Sequence, residues 1–371
     1  MKRRAYRATE VKNVLLEEVL RSAPAGAATA GLDIGKYEVR AVVRWKEGSF
    51  ERPWKARNPS EIEAVVGLLR KVADHRALIV AMESTGTYGD ALRAKLDQAG
   101  LEVHRVGGKA AHDYAEVFDG VPSQHDGKDA AVIAELAAFG KSSLWPYRPK
   151  SESDGEMAYW ADWLDAQQDI QRLWTGRLES LLARHWPEAT RLLALSSVTL
   201  LRALAAYRET QKARLKLERL AQGNEVIGRQ AKVVGAATAC VLWVALGDPK
   251  DYPCGEAYRK AMGLNLQERS SGKYQGQLKI TKRGPSIVRR WLYFAAMRTA
   301  QSVFVKPWFE AKKAKDKDRG NGALIAVARK LALALPAVGA QGKPFEPWRL
   351  FSQKDLVRKA QQAKRRAARS R

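Results

Sequence analysis

The sequence predicts an α/β domain first, then a stretch of long helices, then a smaller, mainly helical domain. Three observations carry this. Strand-like and helix-like segments alternate from Gly31 to about residue 140. From Met157 onward, apolar residues recur at three- and four-residue steps. After Ala231, short apolar helices return around a loop containing Gly and Ser.

Residues 1–27 are basic and then Ala- and Gly-rich, which reads as a loosely held arm. GLDIGKYEVRAVVRW reads as a strand, with Val39, Ala41 and Val43 on one face, and a Gly48-centred turn into SFERPW makes a hairpin. Asn58-Pro59-Ser60-Glu61 supplies helix-start chemistry ahead of Ile62, Val65, Val66 and Leu69. ALIVAME is a short buried strand, Tyr88 to Ala99 a helix, LEVHRV a strand and DGKDAAVIAELAAF a helix, so residues 28–148 form the α/β domain. WPYRPKSESDG, with two prolines, marks its end. Residues 149–228 carry the stripe Met157, Trp160, Leu164, Ile170, Leu173, and then KARLKLERLAQ with its alternating charges. That pattern fits long antiparallel helices or a coiled coil, buried within one subunit or between two. Residues 229–350 form the last domain, with helices at Ile287–Val303 and Leu324–Leu335, and residues 351–371 are a basic tail.

Sixty-five Lys and Arg stand against forty Asp and Glu, a net charge of +25, which favours contact with a polyanion. Nucleic acid is the partner this predicts. The longest uncharged stretch, Val233 to Gly247, is shorter than the roughly 20 residues of a spanning helix. No membrane partner is expected, and the N-terminus has no signal-peptide core, so the expected location is the cytoplasm. Cys240 and Cys254 lack metal-ligand spacing and read as packing residues.

Four acids stand out by position. Asp33 lies among apolar residues in the first strand, where an unpaired carboxylate is costly to bury. Glu83 ends the apolar run LIVAM, and Asp126 and Asp129 sit three apart at a helix start, on one face. Singly, Asp126 reads as a helix N-cap, Asp33 as a turn cap and Glu83 as a salt-bridge partner. Jointly they can converge, and convergent hard oxygens select Mg²⁺ or Mn²⁺.

Near the other end, Ser270 and Ser271 stand among Arg269, Lys273, Lys279, Lys282, Arg283, Arg289 and Arg290, with Glu268 the only acid. Cations of this kind can stabilise charge on a phosphate attacked by a hydroxyl, although a Ser-Ser-Gly segment is also ordinary loop chemistry. In the tail, Lys364, Arg365 and Arg366 lie at the centre of a run that fits phosphate gripping without sequence readout.

The blocks GLDIGK, MESTGTYGDALRAKLDQAGLEV and HDGKDAAVIAELA, followed by GL, SSG, TKRG and RRWLYFAAM in that order, resemble the insertion-sequence one-ten family of DEDD transposases, or bridge recombinases. The resemblance spans roughly residues 30 to 300 and is specific as a set. It implies an α/β RuvC-like (RNase H-like) domain, a long helical coiled coil that mediates assembly, and a small, mainly α transposase domain. It also implies that Asp33, Glu83, Asp126 and Asp129 bind Mg²⁺ and that Ser271 attacks DNA to form a phosphoserine link. The implied partners are donor and target DNA, a structured non-coding bridge RNA, and further copies of the chain, dimers assembling to a tetramer in which one subunit's metal site faces another's serine. Two departures stand out: KVVGAAT replaces the family's Pro-Gly-hydrophobic-Gly turn, and LNLQER lacks the family's proline after GL.

Overall fold

In the computed structural model, residues 7–83, 88–120, 126–147, 149, 151–185, 193–268, 278–315 and 321–352 are described. The chain divides into two units, Met1–Pro149 and Lys150–Arg371.

The reading of residues 1–27 as a loose arm is corrected over its second half. Thr9–Glu10 form β1, a 3-10 turn follows at Val11–Asn13, and Leu16–Ser22 form α1, with Val11 and Leu16 buried in the first unit's core. Val14, Val19, Leu20 and Ala23 pack partly buried against the same core, so apolar burial anchors the segment. The segment expected as one strand is two, β2 (Ala28–Ile34) and β3 (Glu38–Trp45), paired antiparallel in register from Ala28↔Trp45 to Ile34↔Val39. The reversal falls at Gly35, whose N–H donates to the Glu38 carbonyl at 2.8 Å. A uniform apolar alternation on both sides hides this turn.

β4 (Trp54–Arg57) pairs antiparallel with β3, and β5 (Leu78–Glu83) pairs parallel with β2. α2 (Ile62–His75) lies between these two strands in sequence. Asn58 does not cap it; the Asn58 amide donates instead to the carbonyls of Gly35 (2.9 Å) and Tyr88 (3.1 Å), joining the segments that follow β2 and β5. α3 (Asp90–Gln98), β6 (Val103–Val106), α4 (Gly108–Asp119), α5 (Asp126–Ala138) and β7 (Ser142–Leu144) complete the unit. The sheet order is β1-β4-β3-β2-β5-β6-β7. The apolar pattern does not announce α4, because its buried positions are the small Ala111 and Ala115.

Period-two geometry assigns the two faces. Ala30, Leu32, Val39, Ala41, Val43, Val80 and Met82 point to the core shared with α2 and α3. Val42 and Ala81, one residue out of phase, meet α5 instead. The closest approach on that side is at Gly31, where an added Cβ would lie 2.0 Å from the Ala130 carbonyl oxygen and 2.5 Å from the Ala134 nitrogen. Only a residue without a side chain lets α5 lie this near β2.

In the second unit, α6 (Glu152–His185) and α7 (Leu193–Gln222) pack against each other in opposite directions. The Trp163 indole donates to Glu209 at 3.2 Å, the Arg202 guanidinium lies 4.5 Å from the Trp174 ring, and Lys212 lies 5.7 Å from the Trp160 ring. Met157, Leu164, Ala213 and Leu217 join the unit's core, whereas Leu173, Leu182, Leu201 and Leu204 are exposed. α8 (Glu225–Val234) is N-capped by the Asn224 side chain, which accepts from the backbone N–H groups of Val226 (3.0 Å) and Ile227 (3.2 Å). α9 (Ala236–Leu246) follows after Gly235, at φ +85°, so the KVVGAAT segment is a single-residue joint between two helices.

α10 (Gly255–Ala261), β8 (Leu266–Gln267), β9 (Lys279–Ile280), α11 (Ser286–Ala300), α12 (Lys306–Lys315), α13 (Asn321–Gln341) and α14 (Pro347–Leu350) follow. α13 is long and apolar enough to cross a membrane by length and composition, but half of its apolar window is buried, with Val327, Leu331 and Leu335 in the core. Cys240 is buried as expected; Cys254 is exposed, at the solvent-facing start of α10, and is not a packing residue.

Candidate active site

β2 and β5 are neighbouring parallel strands whose pairing runs to Leu32↔Met82, so the next residues, Asp33 and Glu83, stand side by side at their carboxyl ends. Both share the phase of Gly31 and Ala81, and therefore the face that α5 covers. α5 starts at Asp126, which places Asp126 and Asp129 in its first turn, where the helix dipole favours negative charge. Burial, with Asp129, Asp126 and Glu83 close by, pushes the Asp33 carboxyl up to about 6. Burial and then Asp129 raise Glu83 as well. Asp33 thus lies within electrostatic reach of the other three acids, and Glu83 within reach of Asp129, a grouping that a lone cap or a simple salt bridge would not produce.

The Glu83 carboxylate rests against the first residue of α4: a Cβ on Gly108 would lie 2.2 Å from Glu83 Oε1. α4 and α5 are themselves joined by a buried ion pair, Lys128 Nζ to Asp119 Oδ1 at 2.7 Å. Arg40, directly opposite Asp33 in the hairpin register, reaches Asp126 at 3.7 Å and Glu38 at 2.8 Å, and its Nε is buried without a hydrogen-bond partner. Sequence reasoning misses Arg40, Gly108 and Gly31. Arg40 becomes findable once the Gly35 turn is recognised, since the turn sets the register; Gly108 and Gly31 carry no chemistry of their own.

Among the described residues, no three His, Cys, Asp or Glu side chains are near enough together to hold one metal ion as they stand. The donor set nevertheless fits a hard divalent cation: four carboxylates at the mouth of one sheet, one with its proton affinity raised by burial and by the other three. Arg40, 3.7 Å from Asp126, brings one positive charge to the group.

In the serine block, Arg269, Ser270, Ser271 and Lys273 lie outside the described residues, as do Lys364, Arg365 and Arg366 in the tail. The neck of the block is described. Gly263 and Gly284 meet backbone to backbone: a Cβ on Gly284 would lie 2.2 Å from the Ala261 carbonyl oxygen, and one on Gly263 2.8 Å from the Arg283 nitrogen. β8 and β9 pair just inside that neck. Lys279, Lys282 and Arg283 are exposed there, Lys282 at φ 56°. Two of the expected nucleic-acid contacts have partners within the chain. The Arg289 guanidinium turns back to the carbonyls of Gly284 (2.6 Å), Pro285 (3.3 Å) and Met262 (3.4 Å). Arg290 bonds Asp165 (3.1 Å) and Asp169 (3.0 Å) of α6, and its hydrogen bond to Asp169 raises its pKa. Both cations thus help to hold α11.

The DEDD-type IS110 transposase profile matches residues 30–187, and the profile described as transposase, IS116/IS110/IS902 family, matches residues 229–314. Together they span about two thirds of the chain and both regions described above. The chain belongs to the IS110 transposase family. As a transposase of this family it is a DNA-acting enzyme of transposition. No curated protein matches the transposase. Among solved structures it is similar to T. thermophilus RuvC in complex with a Holliday junction substrate, at 17% identity over 32% of this chain and 99% of that one, with a TM-score of 0.23.

Proposed function

We propose that this transposase is an RNA-guided DNA recombinase that cleaves and exchanges strands through a covalent phosphoserine, aided by a Mg²⁺ or Mn²⁺ site. The observation that carries the proposal is the placement of Asp33 and Glu83 side by side at the ends of neighbouring parallel strands, with Asp126 and Asp129 of α5 near enough to raise Asp33. The RNase H-like reading of the first unit is supported by its sheet: three antiparallel strands, β4-β3-β2, continued by parallel β5 and β6. Those four acids would hold the ions, which when bound supply Lewis acidity at a phosphodiester. Arg40 restrains Asp126, and Gly108 gives the Glu83 carboxylate its seat.

Ser271 is the nucleophile in this reading: its Oγ bonds to phosphorus as the bond to one deoxyribose oxygen breaks, and the hydroxyl proton leaves with solvent or the departing oxygen. Lys279, Lys282 and Arg283, exposed at the neck of the same block, would stabilise the charge that develops on the phosphate. Donor and target DNA are the substrates, a structured non-coding RNA the guide, and a homo-oligomer brings one subunit's acids to another's serine. The exposed leucines of the α6–α7 hairpin give such an assembly an apolar face to cover. The site of action is the cytoplasm.

The test is a labelled DNA substrate incubated with full-length protein, Mg²⁺ and the RNA that co-purifies with it, then resolved under denaturing conditions. The expected result is a protein–DNA adduct absent in Ser271→Ala and in Asp129→Asn, and restored by mixing the two variants. Cleavage by Ser271→Ala without an adduct would instead make the protein a nuclease that uses activated water. Absence of any discrete co-purifying RNA would remove the guide from the proposal.

A further inference from the structure

Away from the acids, five elements of the second unit enclose a cavity of about 490 Å³, within the range of small-molecule pockets (roughly 300–1,000 Å³). Six cations line it: Arg259 of α10, Lys312 and Lys315 of α12, Arg329 and Lys330 of α13, and Arg349 of α14. Two acids pair at its edge, Glu256 with Arg259 at 3.4 Å and Glu346 with Arg349 at 2.8 Å. Arg329 Nε donates to the Leu264 carbonyl at 2.8 Å, and burial together with nearby Arg259 lowers its pKa, the mark of a cation held where positive charge is in excess. The Lys330 ammonium donates to the Leu350 carbonyl and lies 5.2 Å from the Trp308 ring.

The rest of the wall is apolar, from Leu266, Leu333 and Trp308 among others. Trp308 is 3% exposed and its indole N–H has no acceptor, a donor left unpaired in the wall of a cationic cavity. A buried N–H without an acceptor is costly, so the site lacks an acceptor as well as an anion. A ligand with a flat apolar body, acceptor atoms and a phosphate meets all three demands. Leu266 belongs to β8, a few positions before Ser271, so whatever binds here lies at the root of the serine block.

We propose that this cavity binds one unstacked nucleotide of a single strand, its base against Leu266, Leu333 and Trp308 and its phosphate among Arg259, Arg329 and the lysines. This rests on the nucleic-acid reading above and deepens it, by distinguishing a single-strand site from the general attraction of a +25 chain for any polyanion.

Binding is measured by fluorescence anisotropy with full-length protein in chelator, so that no cleavage occurs, using short single-stranded DNA, single-stranded RNA and duplex DNA. Lys315 and Arg349 are exposed, so Lys315→Gln combined with Arg349→Gln leaves the fold intact, and Lys71→Glu at an exposed position of α2 is the control with the same change in net charge. The expected result is about a tenfold weaker affinity for single strands in the double variant, and a salt slope shallower by about 0.7 for each phosphate no longer neutralised. Duplex affinity should change no more than in Lys71→Glu. Trp308→Phe, which keeps the ring and removes the N–H, should weaken single-strand binding several-fold, and a 5-iodouridine strand should photocrosslink to the α12 peptide. The strand, DNA or RNA, whose affinity falls further names the occupant. Equal weakening on duplex and single strand, or single-strand binding as tight as in Lys71→Glu, would overturn the cavity assignment while leaving nucleic-acid binding intact. Failure of the wild type to bind any of the three probes would overturn the underlying reading as well.

Discussion

At the scale of single residues, Asp33 shows how a site can oppose the stability of the fold that builds it. Below its ordinary value of 3.8 the carboxyl is protonated in folded and unfolded chains alike; above about 6 it is charged in both, and only the folded chain bears the cost of burial and repulsion. Its contribution to stability therefore falls as pH rises through that window. Thermal melts in chelator should show Asp33→Asn gaining on the wild type between pH 4 and pH 6 and remaining more stable at pH 7, while strand cleavage is abolished. A constant difference across that range would mean the carboxyl is not perturbed. Gly108 makes the complementary case. Gly108→Ala puts a methyl group 2.2 Å from Glu83 Oε1, and because the obstacle is a side-chain tip the fold can yield by moving the carboxylate. Cleavage should drop at least tenfold, with melting temperature and DNA affinity near wild type; full activity would remove Glu83 from the site.

Between elements, the decisive interactions are those the sequence hides. The α/β alternation, the phase that sends Asp33 and Glu83 to one face, and the helix start at Asp126 are all legible, because each is a local pattern of apolar spacing. The Gly35 turn is not, since apolar residues continue at the same period on both sides of it, and α4 is not, since alanines mark its buried face. Arg289 and Arg290 read as phosphate contacts because charge is visible in a sequence. Their partners are not visible: Asp165 and Asp169, which hold Arg290, stand more than a hundred residues away. The four acids can be named from their order, but their convergence depends on the approach at Gly31. Gly31→Ala meets backbone rather than a side-chain tip, so it should destabilise the first unit by roughly 1–3 kcal/mol or more, read as a lower denaturation midpoint. Asp119→Ala, which removes the carboxylate from the Lys128–Asp119 pair between α4 and α5, should also lower the midpoint by the same measurement. A neutral result for both would mean α5 is held by its apolar face alone.

For the molecule as a whole, charge is the property that reaches furthest beyond the reactive groups. Deleting the chain after Lys354 removes most of a cationic run, and binding to any nucleic acid should weaken with a flatter dependence on salt; an unchanged slope would mean the tail touches no phosphates. The α/β unit has a different long-range property. β2 touches α5 at Gly31, α5 is pinned to α4 through Lys128 and Asp119, α4 supports Glu83 through Gly108, and Glu83 ends the strand beside β2. These contacts close a circuit with one acid or acid pair on three of its four members. A cation that draws any of those carboxylates inward must therefore tug the others along, so ligand capture at this sheet edge should be an all-or-none event rather than a sequence of independent side-chain rotations.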